Sequence, residues 1–219
     1  MGKFAVIGLG FFGDLLARAL SEQGHEVVAI DKRMEHVEEI KDRVSYAVRL
    51  DSTDERAMRA QGLADMDAVV VTIGEDFESS VYTTILLQQL GVRRIITRTT
   101  SPAHTRIMQL LGVRETIFPE QETAHTIAKT LSFPGVKDYI PLGDDYMIAD
   151  IPAPPSTAGR TVQEANFRTA YGLNLVTIRR PETGREEPVV LGVPTPETVI
   201  RAGDTLLLMG REKDLRRLL

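Results

Sequence analysis

From residue 3 to about residue 131 the chain alternates between two hydrophobic rhythms. Short runs rich in β-branched residues, KFAVIG, EVVAID, YAVRLD, AVVVTIG, RIITRT and ETIFP, read as strands. Stretches of helical spacing lie between them. The first, GDLLARALSEQGH, places Leu15, Leu16, Ala19 and Leu20 on one face and ends at Gly24 as a C-cap. Further helices are expected over 34–43, 53–61, 77–90, 102–111 and 121–131. Six strands with helices between them complete a Rossmann-like α/β domain, a doubly wound parallel sheet.

The rhythm then breaks. SFPGVKDYIPLGDD carries two prolines and two glycines, which sets a boundary near 133–137 and two domains, 1–134 and 135–219. The second reads as a small α+β unit. Its expected elements are a strand over 146–151, the loop PAPPSTAG, a short helix over 162–166, strands over 173–179 and 205–209, and a charged terminal helix from Arg211.

Composition narrows the function classes. The 219 residues carry a net charge of −5, which offers nothing to draw a nucleic acid or an anionic membrane. The absence of cysteine removes disulfides, thiolate catalysis and cysteine-ligated zinc. The apolar start is too short, and too broken by glycine, for a signal peptide or a membrane span, so a cytoplasmic protein is expected.

The strongest chemical signal is VIGLGFFG, which spaces Gly8, Gly10 and Gly13 as G-x-G-x-x-G between a strand and a helix. In such a loop the first glycine turns the chain, the second admits the phosphates, and the third packs helix on strand. Phosphate then rests on the helix N-terminus. Asp31, 18 residues beyond Gly13, closes the second strand where a carboxylate accepts ribose hydroxyls. Asp31 speaks for an unphosphorylated ribose, and Lys32 and Arg33 behind it leave room for a 2′-phosphate as the disfavoured alternative. Ligands in these sheets lie beyond the carboxyl ends of the strands, which adds Asp51, Ser52, Ile73, Gly74, Glu75 and Arg98 to the candidate set. Gly74 permits close backbone approach, and Arg98 brings a planar cation suited to phosphate.

A dehydrogenase also needs an acid or base beside its nicotinamide. The second domain has no histidine, and the four in the first, His25, His36, His104 and His125, form no recognisable catalytic arrangement. His25 and His36 read as solvent-facing, and Glu122 with His125 as a helix surface pair. A regulatory rather than catalytic role is expected, with a small NAD-dependent oxidoreductase as the alternative.

The tracts FAVIGLGFFG, HEVVAID, VVVTIGEDFESSVYTTILLQQLGV, LGVRETIFPE, NFRTAYGLNLVTIRR and VPTPETVIRAGDTLLLMG together resemble the regulatory subunits of bacterial Trk/Ktr potassium-uptake systems, the RCK family. The resemblance covers the whole chain. It implies homodimers that assemble into a ring, usually an octamer, beneath a membrane-embedded potassium-translocating subunit. It also implies a first domain that binds ADP, ATP or NAD(H). The family loop often carries arginine where this chain has Phe11, which shifts the expectation from ATP toward ADP, AMP or NAD(H). Phe12 matches the family's aromatic. Glu120 matches an acidic position that takes Mg²⁺ or Ca²⁺ in some members, and a helix N-terminal acid is the other reading. In the second domain Arg168, Asn174 and Pro194 match a cleft that binds cyclic di-AMP in some members. A regulator of another cation or proton antiporter fits the same resemblance.

Overall fold

A computed structural model describes every residue of the chain except Pro134 and Lys137, so the boundary expected at 133–137 includes two positions outside the described residues. The chain divides into two compact units, Met1–Glu122 and Thr123–Leu219.

The first unit is a six-stranded parallel sheet in the order β3-β2-β1-β4-β5-β6. The strands are β1 Lys3–Ile7, β2 Glu26–Asp31, β3 Tyr46–Arg49, β4 Ala68–Val71, β5 Ile95–Arg98 and β6 Glu115–Ile117. Both faces are covered, which is why the strands read as nearly unbroken apolar runs. Ala5, Ile7, Val28, Ile30, Val69 and Val71 form one core with Met58, Leu86 and Leu87. Val6, Val27 and Ala29 point to the opposite face and meet Ala17, Val37 and Ile40. The chain order reverses beside β1, so α1 Phe11–Glu22 and the loop before it open at the switch point.

Helix starts follow side-chain chemistry. Asp54 caps α3 Glu55–Arg59, Asp76 caps α4 Phe77–Gln89, and Ser101 caps α5 Pro102–Leu110 ahead of a proline that has no N–H and needs no acceptor. The helix expected over 34–43 is shorter, α2 Met34–Ile40, and the one expected over 121–131 begins earlier, α6 Pro119–Ser132.

The face expected on α1 is corrected. Gly13 and Ala17 are buried, Leu16 and Leu20 pack at their margin, and Leu15 is 51% exposed with Ala19 also outward. Close helix–strand contact selects the small residues, so the apolar stripe Phe11–Leu15 faces out.

The second unit is a five-stranded antiparallel sheet in the order β10-β9-β11-β8-β7. Expected strands appear as β8 Tyr146–Pro152, β9 Asn174–Arg180 and β11 Thr205–Arg211. Two strands were not anticipated, β7 Asp138–Gly143 and the two-residue β10 Val189–Val190. Helices α7 Val162–Ala165, α8 Phe167–Tyr171 and α9 Glu212–Arg216 belong to this unit, where Ala165, Phe167 and Leu215 join a core of Met147, Ile151, Ile178, Leu206 and Leu208. Asn166 in the left-handed region separates α7 from α8. The buried Asp204 is held by the Arg180 guanidinium at 2.7 and 2.9 Å.

Candidate functional site

The three glycines of the first loop occupy three different environments. Gly8 has φ +97°, and a Cβ there would press on Ile73 at 3.0 Å. At Gly13 a Cβ would lie 1.9 Å from the Gly8 carbonyl oxygen. Nothing lies within 4 Å of a Cβ at Gly10. Gly10 is also the N-cap of α1, and no side chain there caps the first-turn N–H groups. Thr72, just past β4, holds the loop's entry: its single hydroxyl proton is shared between the Gly8 carbonyl at 2.5 Å and the Ile7 carbonyl at 3.0 Å.

Asp31 is joined to this loop. Its Oδ2 accepts the Leu9 N–H at 2.6 Å, and its Oδ1 accepts the Arg33 N–H at 2.7 Å. His36 Nδ1 lies 3.1 Å from Oδ2. Burial works to raise this carboxyl, but the hydrogen bonds from Arg33, His36 and Leu9 outweigh it and hold Asp31 below the usual carboxylate range. The solvent-facing expectation for His36 is therefore corrected, and the same holds for His25, which accepts the Gly2 N–H at 3.1 Å. His36 on a mostly polar helix face, and His25 in the connection between α1 and β2, gave no sequence signal for either contact.

Arg98 closes another side. Its guanidinium stands 5.6 Å from the centre of the Phe12 ring, and a Cβ at Gly74 would meet Nη1 at 2.6 Å. Nη2 donates to Glu120, in the first turn of α6. Arg98 Nε is buried without a hydrogen-bond partner. The Glu120 carboxyl is held low by its own backbone N–H and then by Arg98. Among the described residues no group of three or more His, Asp or Glu side chains gathers as a metal site, so a cation at Glu120 would need phosphate or water oxygens to complete its shell.

The remaining candidates divide. Lys32 pairs with Asp76 at 3.5 Å, at the start of α4. Arg33 contributes its backbone, and its side chain is exposed, as is Glu75. Asp51 is turned onto its own loop, accepting from the Thr53 N–H and hydroxyl. Ser52 is buried against the Thr83 hydroxyl at 2.7 Å. Sequence reasoning missed Thr72, Asp76 and His36. Of these only Asp76 had a local signal, an acid ahead of a helix that begins Phe-Glu-Ser-Ser.

In the second unit Arg168, Asn174 and Pro194 line one cavity of about 580 Å³, together with Phe167, Leu173 and Glu197. Arg168 Nε donates to Asn174 Oδ1 at 3.0 Å. No helix among the described residues is long and apolar enough to cross a membrane.

The TrkA-N domain model matches residues 4–119, and the TrkA-C domain model matches residues 146–219. The chain is 36% identical over 215 residues to Ktr system potassium uptake protein C of Bacillus subtilis, covering 98% of this chain and 95% of that protein. It is 32% identical to Ktr system potassium uptake protein A of the same organism, over 98% and 94% of the two chains. The solved GsuK channel bound to NAD superposes with a TM-score of 0.63 at 19% identity, over 99% of this chain. That likeness is one of fold, and this chain spans 38% of the channel's length.

Proposed function

The chain belongs to the family of TrkA-N/TrkA-C proteins that includes the Ktr potassium-uptake proteins, and on that premise we propose that it is a regulatory subunit of a potassium-uptake system, gated by an adenine nucleotide in its first domain. The observation that carries the ligand is the open space at Gly10, between an uncapped α1 and an Asp31 tied to the same loop. Backbone N–H groups there suit phosphate, and the carboxylate suits ribose. Arg98 supplies the nearby cation, and Phe11, 87% exposed, adds none. ADP or NAD(H) therefore fits this loop better than ATP. Glu120 would reach Mg²⁺ or Ca²⁺ only through the phosphates, in exchange for its pairing with Arg98.

The proposal extends to assembly. Leu110 on α5 and Ile127 and Leu131 on α6 are exposed at 71%, 53% and 77%. Exposed apolar side chains, Ile127 and Leu131 one turn apart on α6 among them, suit homodimers and a ring, an octamer by resemblance, that acts on a membrane-embedded potassium-translocating partner from the cytoplasmic side. The cavity at Arg168, Asn174 and Pro194 would take one half of a twofold ligand such as cyclic di-AMP, with a second copy supplying the other half. Gating follows if the ligand has unequal affinity for two ring shapes.

The test is calorimetric titration of the purified protein with ATP, ADP, NADH and cyclic di-AMP, with and without Mg²⁺. One ADP or NADH per subunit, lost in Asp31→Ala, supports the site. Loss of cyclic di-AMP binding in Arg168→Ala supports the second cavity. Turnover of NADH with any substrate would instead favour an oxidoreductase, and a null result with every nucleotide would sink the proposal.

A further inference from the structure

We infer that His36 is a positioning residue that makes Asp31 read the ribose through a single oxygen, and so through one hydroxyl; this rests on the nucleotide site proposed above. An aspartate carboxylate turns easily, because the torsion that sets its plane is broad and roughly two-fold. Its orientation must come from donors around it. Three donors are present here, and they are unequally divided. Oδ2 receives the Leu9 N–H at 2.6 Å and His36 at 3.1 Å, whereas Oδ1 receives only the Arg33 N–H at 2.7 Å.

Each carboxylate oxygen accepts about two hydrogen bonds. Oδ2 is thus filled, and Oδ1 keeps one acceptor direction. The side chain is 8% exposed, which leaves little room for water to compete at either oxygen. Against an ionised carboxylate His36 Nδ1 must carry its hydrogen, so the ring acts as a donor in either charge state. Its place is set by the fold: it stands in the first turn of α2, at 18% side-chain exposure, five residues after Asp31. A carboxylate with both oxygens open would bridge the 2′- and 3′-hydroxyls. With Oδ2 occupied it accepts one of them.

The experiment compares ADP, 2′-deoxy-ADP and 3′-deoxy-ADP by calorimetry on the full chain, with NAD⁺ and its deoxyadenosine analogues run in parallel. A hydrogen bond to a charged acceptor is worth about tenfold or more in affinity. Wild type should lose about tenfold for one deoxy analogue and under about threefold for the other. In His36→Leu the second oxygen opens, and the two analogues should weaken by similar factors. In His36→Asn, whose Nδ2 stands where the ring Nδ1 does, the wild-type asymmetry should return. His36→Ala carries the same expectation as His36→Leu if the latter does not fold. A purely structural role for His36 would scale all three affinities together. Asymmetry that persists in both His36→Leu and His36→Ala, or its absence in wild type, overturns this inference while leaving the site intact. Adenine nucleotide binding that survives Asp31→Ala unchanged overturns both.

Discussion

A Cβ placed on Gly13 would sit 1.9 Å from the carbonyl oxygen of Gly8, so the third glycine of the loop is required by its first. At Gly10 the same atom meets nothing within 4 Å. The two positions therefore separate folding from binding. Gly13→Ala should cost about 1–3 kcal/mol of stability through forced backbone movement. Gly10→Ala should change stability by less than about 0.5 kcal/mol, since its extended backbone suits alanine, yet weaken nucleotide binding at least tenfold. Urea unfolding together with calorimetry checks both, and equal stabilities for the two variants would contradict the assignment.

In the proposed site Glu120 and a ligand phosphate would compete for the same guanidinium. Arg98 is paired with Glu120 and has a buried Nε without a partner. Glu120→Gln should raise affinity for ADP in the absence of divalent cations about two- to fivefold, the range expected for a partly exposed ion pair. Any Mg²⁺ dependence of binding should disappear in the same variant. Arg98→Ala should weaken ADP in either condition, and binding unaffected by both changes would remove Arg98 from the site.

Phe11 stands in the first turn of α1 and is 87% exposed, so its replacement disturbs no packing. Phe11→Arg adds a cation near the end of the loop proposed to bind phosphate. The ratio of ATP to ADP affinity should rise severalfold, as expected for a charge-assisted hydrogen bond to the extra phosphate. Competition binding between the two nucleotides measures it directly, and an unchanged ratio would mean that Phe11 does not face the terminal phosphate.

His104 gives the fold an acid-sensitive point. It is 2% exposed, lies edge-on to Phe77 at 4.9 Å, and has both ring nitrogens buried without hydrogen-bond partners. Burial pushes its pKa down. The unfolded chain takes up a proton near the ordinary histidine value of about 6.5, where the folded protein still refuses it. Its contribution is thus intact above that pH and declines as pH falls toward the lowered folded value, at no more than about 1.4 kcal/mol per pH unit. His104→Leu should gain on wild type between pH 7.5 and 5 in thermal unfolding. Parallel pH profiles for the two proteins would mean that His104 titrates normally.

Legibility in the sequence follows the range of the interactions. The inner strands β1, β2 and β4 were readable because a sheet buried on both faces demands nearly unbroken apolar runs. β7 was not, because Pro141 and Gly143 in DYIPLG read as turn residues. An edge strand tolerates the missing proline N–H, and β7 is the edge of its sheet. α8 was hidden by Asn166, whose left-handed conformation restarts a helix the periodicity ends. The outward face of α1 was misread because periodicity alone does not reveal that close packing on β1 selects Gly13 and Ala17 over Leu15.

The sequence by itself determined the glycine loop, the acid at the end of β2 and the family. These depend on residue type at short spacing, where backbone geometry leaves few alternatives. Only the tertiary structure decided what each candidate residue touches: that Asp31 holds Leu9 and His36, that Ser52 is turned to Thr83, and that Arg98 is shared between Phe12 and Glu120. Those partners are brought together by sheet order and crossover connections, and a hydrogen bond is set by where two groups arrive in space, which the spacing of a single stretch does not encode.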